Sequence, residues 1–273
     1  MLTRTITGAI FVLTLLVAFY FGYLSTFFLF FIITTLGVEE FHTIVSKNKD
    51  FSPLKFFGLL TSIITFTLLS LTIQNTISTK YIVVPFAFIF LTFILELYRK
   101  KRHPFMNVAY TILPNIYIVL PFVLLYHLGF YNNHHFTHEF SYPLIWGFFF
   151  ILWSNDTGAY LSGRFFGKHK LFERISPKKT WEGSIGGALM SILVAYVCSV
   201  YFDQINMQDW IIVAVITVVF GSLGDLVESM LKRSLNIKDS GNILPGHGGI
   251  LDRFDGLFLS VPFVYAYLVI SMQ

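Results

Sequence analysis

Apolar stretches of about 17–25 residues, the length a helix needs to cross the hydrocarbon core of a bilayer, recur along this whole chain. They fall at about 6–22, 24–45, 56–74, 81–97, 108–128, 142–162, 184–202, 210–231 and 256–272. Within lipid every backbone polar group must find its partner inside its own segment, which such runs achieve as helices. The expected fold class is an all-α polytopic integral membrane protein with about nine transmembrane helices. Composition agrees: 55% of the chain is hydrophobic, 12% is charged, and 32 of 273 residues are Phe. The mean hydropathy is +0.69, far from the soluble average. The first stretch follows Arg4, as a signal peptide would. No small-residue cleavage site comes after it, so it reads as a retained helix.

Basic residues orient the spans, because cytoplasmic loops collect Lys and Arg. With nine spans and a cytoplasmic N-terminus, 18 of the 19 basic residues fall on the inner side and only Lys80 does not. The C-terminus is then outside. Both long polar loops, 163–183 and 232–255, face the cytoplasm, where nucleoside triphosphates are. The expected location is the cell (inner or plasma) membrane, multi-pass, with the site turned inward. The net charge of +4 is therefore explained by topology and anionic headgroups, and no nucleic-acid partner is expected.

The halves of the chain differ. Residues 1–273 read as a single membrane domain in which 1–128 supply scaffold helices, with room for a homodimer interface. Residues 142–273 form the catalytic half. The seam at 131–141 carries His134, His135 and His138, and reads as an unordered polar loop rather than a metal site. Glu39, Glu40 and Glu96 lie near cytoplasmic span ends, where a solvated or paired role is the simpler reading. Cys198 sits in an apolar span and excludes an internal disulfide.

Charge inside so apolar a chain is costly, and three constellations need a reason. Asp225 and Glu228 share one helical face with Ser229 and Lys232. Asp252 and Asp255 repeat the three-residue spacing at the start of the last span. Alone, either pair could be a carboxylate pair satisfied by a neighbouring cation. Together, flanking one loop of about twenty residues, they can converge on one or two divalent ions through oxygen ligands. The second constellation is SNDTGAY at 154–160, with Asn155 and Asp156 inside an apolar run. The third is GRFFGKHKLFERISPKKTWEG at 163–183. There Arg164, Lys168, Lys178 and Lys179 could clamp phosphates, Ser176-Pro177 suits a turn or helix start, and Trp181 and Phe172 could stack on a base. Contact with lipid headgroups alone is the bland alternative for these basic residues.

The segment 229–255, SMLKRSLNIKDSGNILPGHGGILDRFD, gathers two Lys, two Arg, three Asp, one His and four Gly. It resembles the signature of the phosphatidate cytidylyltransferases, the CDP-diacylglycerol synthases: S-x-L-K-R-x4-K-D-x-G-x2-L-P-G-H-G-G-x-L-D-R-x-D. Every fixed position is met. SNDTGAYLSGRFFGKHK, ISPKKTWEGSIGG and GDLVES look like the family's other shared segments, so the resemblance covers about 145–273. It implies the reaction of CTP with phosphatidate to give CDP-diacylglycerol and pyrophosphate, with Mg2+ and room for a second cation. By that resemblance Asp225, Asp252, Asp255 and Lys232 are catalytic, and Asp225, Glu228, Asp252 and Asp255 bind metal. Substrate contacts fall to Asn155, Asp156, Arg164, Ser176, Lys178, Lys179, Ser229, Arg233, Lys238, Asp239, His247, Gly248, Gly249 and Arg253. The expected partners are CTP, phosphatidate and membrane lipids. Two alternatives are a CTP-dependent enzyme acting on a prenyl or ether lipid, and an anion transporter. The transporter should show related halves and a midplane site, and no repeat is present.

Overall fold

The structure, a computed structural model, describes residues 2–133, 135–241 and 248–271, with side chains from Thr5 onward. Its helices are α1 (Leu2–Tyr20), α2 (Tyr23–Val45), α3 (Lys55–Ile73), α4 (Val83–Leu97), α5 (Pro104–Pro114), α6 (Leu120–Leu128), α7 (Pro143–Phe166), α8 (Trp181–Tyr201), α9 (Met207–Ser234) and α10 (Leu251–Ile270). Each of the nine apolar stretches overlaps a helix. A π-turn at Asn115–Val119 joins α5 to α6, immediately after Pro114, whose missing N–H cannot continue the ladder.

Seven of the helical segments are long and apolar enough to cross a membrane, so the protein is an all-α polytopic membrane protein. Two of the nine expected spans fall outside that set. The described apolar part of α1, Thr5–Tyr20, is shorter. α7 is 24 residues long, but its SNDTG run dilutes the apolar character of any window across it.

Between the helices lie two short hairpins. Tyr131–Asn132 (β1) pairs antiparallel with His135–Phe136 (β2), where an unordered loop was expected. Lys170–Phe172 (β3) pairs with Ser176–Thr180 (β4). Ser176-Pro177 thus opens a strand, correcting the expectation of a turn or helix start. The helix start comes four residues later, where the Thr180 hydroxyl accepts from Gly183 N at 3.2 Å and caps α8.

By contact the chain forms two compact units, 1–127 with 234–253 and 128–233 with 254–273. The sequence reading kept a single domain and gave loop 232–255 to the second half. Of its described residues, Ser240, Ile250 and Leu251 instead donate to Glu40 of α2 in the first unit.

The first unit is packed on aromatic side chains. Phe30 of α2, fully buried, meets Phe19 of α1 at 5.5 Å and Phe122 of α6 at 5.1 Å between ring centroids. In the second unit, α7 and α8 approach so closely that a methyl on Gly187 would stand 2.8 Å from the Asn155 carbonyl. Small residues give such closeness between apolar helices, where burial from water offers no drive. Ser191 of α8 donates to Ile151 O at 3.0 Å, fixing the register that sets Asn155 and Asp156 on α7.

Candidate active site

The second unit brings four carboxylates from three helices within electrostatic reach. α9 carries Asp225, Glu228, Ser229 and Lys232 along one face, as their spacing requires. Gly224 lets α9 pass against α10: a side chain there would run into the Asp255 carbonyl, and its methyl would stand 3.2 Å from Gly256 Cα. The close crossing sets Asp225 beside Asp255. Asp255 feels the charges of Asp225, Asp156 and Glu228.

Two ammonium groups sit among these acids. Lys179 of β4 reaches Asp225 Oδ2 at 2.7 Å and donates to Ser222 O at 2.9 Å. Lys232 pairs with Glu228, which is fully buried on the same helix. Asp225 and Glu228 thus each have a lysine as ionic partner. Ser229 Oγ donates to Asp225 Oδ1 at 3.3 Å, a long contact. Nearby on α7, Asp156 is exposed and Asn155 is buried, and the Asn155 Oδ1 has no hydrogen-bond partner. A buried acceptor without a donor is uncommon, and Asn155 Oδ1 is one of several among the described residues.

The cluster holds four carboxyl groups and two ammonium groups. The donors are hard oxygens, the type that Mg2+ takes. Among the described residues no three His, Cys, Asp or Glu side chains are placed together so as to hold a metal ion. The residues suit Mg2+ by ligand type alone, and to hold it the carboxylates would have to draw together and Lys179 to yield part of its hold on Asp225.

The described part of the signature from Ser234 to Arg253 belongs to the first unit. Asp252 Oδ2 accepts from Ser240 N at 3.1 Å, Ser240 Oγ at 2.8 Å and Gly249 N at 3.0 Å. Gly248 has φ +86°, a conformation that favours glycine, and a methyl there would stand 2.7 Å from Asp252 Oδ2. Below this loop lies Glu40, 6% exposed. It shares the single Ser240 hydroxyl hydrogen with Asp252 and accepts from Ile250 N at 2.8 Å and from Leu251 N at 3.1 Å. A carboxylate from α2 thus closes the N-terminus of α10, where the helix leaves its first N–H groups unpaired. Neither Gly241 nor Gly249 could carry a side chain without striking Glu40.

The other expected site residues stand as follows. Arg164, Lys178, Arg233, Lys238, Asp239 and Arg253 are exposed, and Ser176 is half-buried. Trp181 is 56% exposed and open to stacking. His247 lies outside the described residues. Glu96 is paired, to Arg99 at 2.7 Å, as the sequence reading allowed. Glu40 is the residue whose part was missed. Its signal was present, an acid inside an apolar run, but its partners lie about two hundred residues away.

Comparison with known proteins follows the same direction. The phosphatidate cytidylyltransferase of Staphylococcus aureus (strain COL) is 42% identical over 174 residues, 63% of this chain and 63% of that protein. Those of Staphylococcus epidermidis (strain ATCC 12228) and Staphylococcus saprophyticus are 43% and 41% identical over 172 residues. The match spans less than two thirds of the length of each of these relatives. The cytidylyltransferase family model, in contrast, matches residues 2–271. The chain belongs to the cytidylyltransferase family.

Proposed function

We propose that this protein is a phosphatidate cytidylyltransferase, transferring CMP from CTP to phosphatidate in the membrane. The observation that carries the proposal is the group of Asp156, Asp225, Glu228 and Asp255 with Lys179 and Lys232 set among them. The relatives named above supply the substrates. The phosphatidate monoester oxygen attacks the α-phosphorus of CTP. The bond from that phosphorus to the oxygen bridging to the β-phosphate breaks, and pyrophosphate leaves with that oxygen. The nucleophile is already anionic, so no strong general base is needed. What is needed is neutralisation of two polyanions and alignment of the attack.

Asp225, Glu228 and Asp255 are the residues that would hold Mg2+, which when bound supplies charge neutralisation across the reacting phosphates. Lys179, with Lys178 exposed beside it, and Arg233 would take charge building on the pyrophosphate. Asn155 Oδ1 would accept from a substrate donor. In this reading the lipid keeps its acyl chains in the plasma membrane and meets CTP at the cytoplasmic surface, the side the basic residues assign to loop 163–183.

Asp225→Asn is expected to lower turnover by roughly a hundredfold, equivalent to about 3 kcal/mol, while the protein stays folded. Removing Mg2+ with a chelator should abolish turnover in the parent protein. Near-normal activity of the Asn variant at limiting Mg2+ would sink the metal assignment. Asp252→Asn in the same assay tests whether that carboxylate serves the metal beyond its hold on the loop.

A further inference from the structure

A second charged site lies in the first unit and is lined by none of the residues proposed for the reaction. The loop between α2 and α3 and the loop between α4 and α5 line a groove of about 890 Å3. Lys49, Lys55, Arg99, Lys100, Lys101 and Arg102 border it, with Asp50 as the acid among its lining residues.

Basic residues at span ends are ordinary, because topology selects them. Here their backbone is held by a buried frame. Arg99 donates to Ser52 O at 2.9 Å and pairs with Glu96 at 2.7 Å. Asn107, fully buried, donates to Glu96 Oε1 at 2.7 Å and to Arg102 O at 2.9 Å. Its own Oδ1 accepts from Ser52 N at 2.8 Å. Both walls of the groove are thus fixed to one hydrogen-bonded set, which a loop that merely marks the cytoplasmic side does not require. Arg99 is spent on this frame. Lys49, Lys55, Lys100, Lys101 and Arg102 are all exposed.

The surroundings decide what kind of anion fits. Phe56, part of the lining, is 81% exposed, and Leu97, Tyr98 and Phe105, close in sequence to the lining residues Arg99 and Arg102, are 78%, 81% and 78% exposed. A soluble phosphate has no use for such side chains. A lipid does, with its phosphate among the cations and its acyl chains along the apolar faces of α3, α4 and α5.

We propose that this groove binds the headgroup of an anionic phospholipid as a site separate from the reaction centre. Native mass spectrometry of the full-length protein in neutral detergent tests this with phosphatidylglycerol, an anionic lipid that is not the proposed substrate. The parent protein should retain one more phosphatidylglycerol than the Lys49→Gln/Lys100→Gln/Lys101→Gln variant. Phosphatidylcholine should be retained equally by both, and the matching Lys→Arg variant should restore the difference. Thermal unfolding of the Gln variant checks that it is folded. Equal retention of phosphatidylglycerol by parent and Gln variant would overturn the proposal. So would loss of the extra lipid when inorganic phosphate is added in excess, since the site would then take the free anion. Catalysis does not enter the measurement, so its outcome is independent of the proposed reaction.

Discussion

Lys179 shows how a single side chain can be judged by two different readouts. It pairs with Asp225 across 2.7 Å, and the two side chains are 23% and 39% exposed. An ion pair so open to water contributes only about 0.2–1 kcal/mol to stability. Lys179→Ala should therefore leave the unfolding temperature nearly unchanged. If the ammonium meets charge building on the pyrophosphate, kcat should fall about tenfold to a hundredfold, with a smaller change in the KM for CTP. A fall in stability without a fall in kcat would make Lys179 a structural partner of Asp225 and nothing more. Glu40 should behave in the opposite way. Glu40→Ala strips the acceptor from Ser240, Ile250 and Leu251 and is expected to cost about 3 kcal/mol of stability, with Glu40→Gln costing less. Thermal unfolding in one detergent compares the two, and an unchanged midpoint for Glu40→Ala would remove Glu40 from the account of the loop.

Among the elements, the crossing of α9 and α10 does the most to shape the site. Gly224 has no room for a side chain because the Asp255 carbonyl and Gly256 occupy that space. Gly224→Ala is expected to lose about 1–3 kcal/mol, the usual range for overpacking, and to lower turnover by separating Asp225 from Asp255. Gly221→Ala is the control one turn earlier, where the methyl meets the flexible end of Leu152 at 3.2 Å. Equal activity loss in both would mean that the carboxylate spacing is not what the crossing controls. The helices themselves were legible from the sequence, since an apolar run of spanning length has little choice in lipid. The i, i+3 carboxylate pairs were legible for the same local reason. The hairpin over 170–180 was not, because Ser-Pro is equally at home at a turn, a helix start or a strand edge. Nor was the Lys179–Asp225 pair, whose members are 46 residues apart in the sequence. Pairings between distant elements leave no mark in periodicity.

At the scale of the whole molecule, the signature motif is shared between the two compact units. Residues 234–253 belong with α1–α6, while Asp225, Glu228 and Asp255 belong to the other unit. Within the first unit, Glu40 of α2 holds Ser240, Ile250 and Leu251 of the signature. The sidedness inferred from 18 of 19 basic residues can be tested directly. Single cysteines at Lys170 and Lys238, both exposed, in a background lacking Cys198, should react only when the reagent can reach the cytoplasm. Labelling of either from outside sealed cells would reverse the orientation. The central claim is that CMP moves from CTP to phosphatidate, and the fate of labelled phosphorus tests it most directly. Purified protein with phosphatidate, Mg2+ and CTP labelled at the α-phosphorus should move the label into a lipid extractable by organic solvent. CTP labelled at the γ-phosphorus should yield labelled pyrophosphate in water. Label from the γ-position in the lipid would make the protein a kinase, and no lipid-borne label from either position would contradict the reaction altogether.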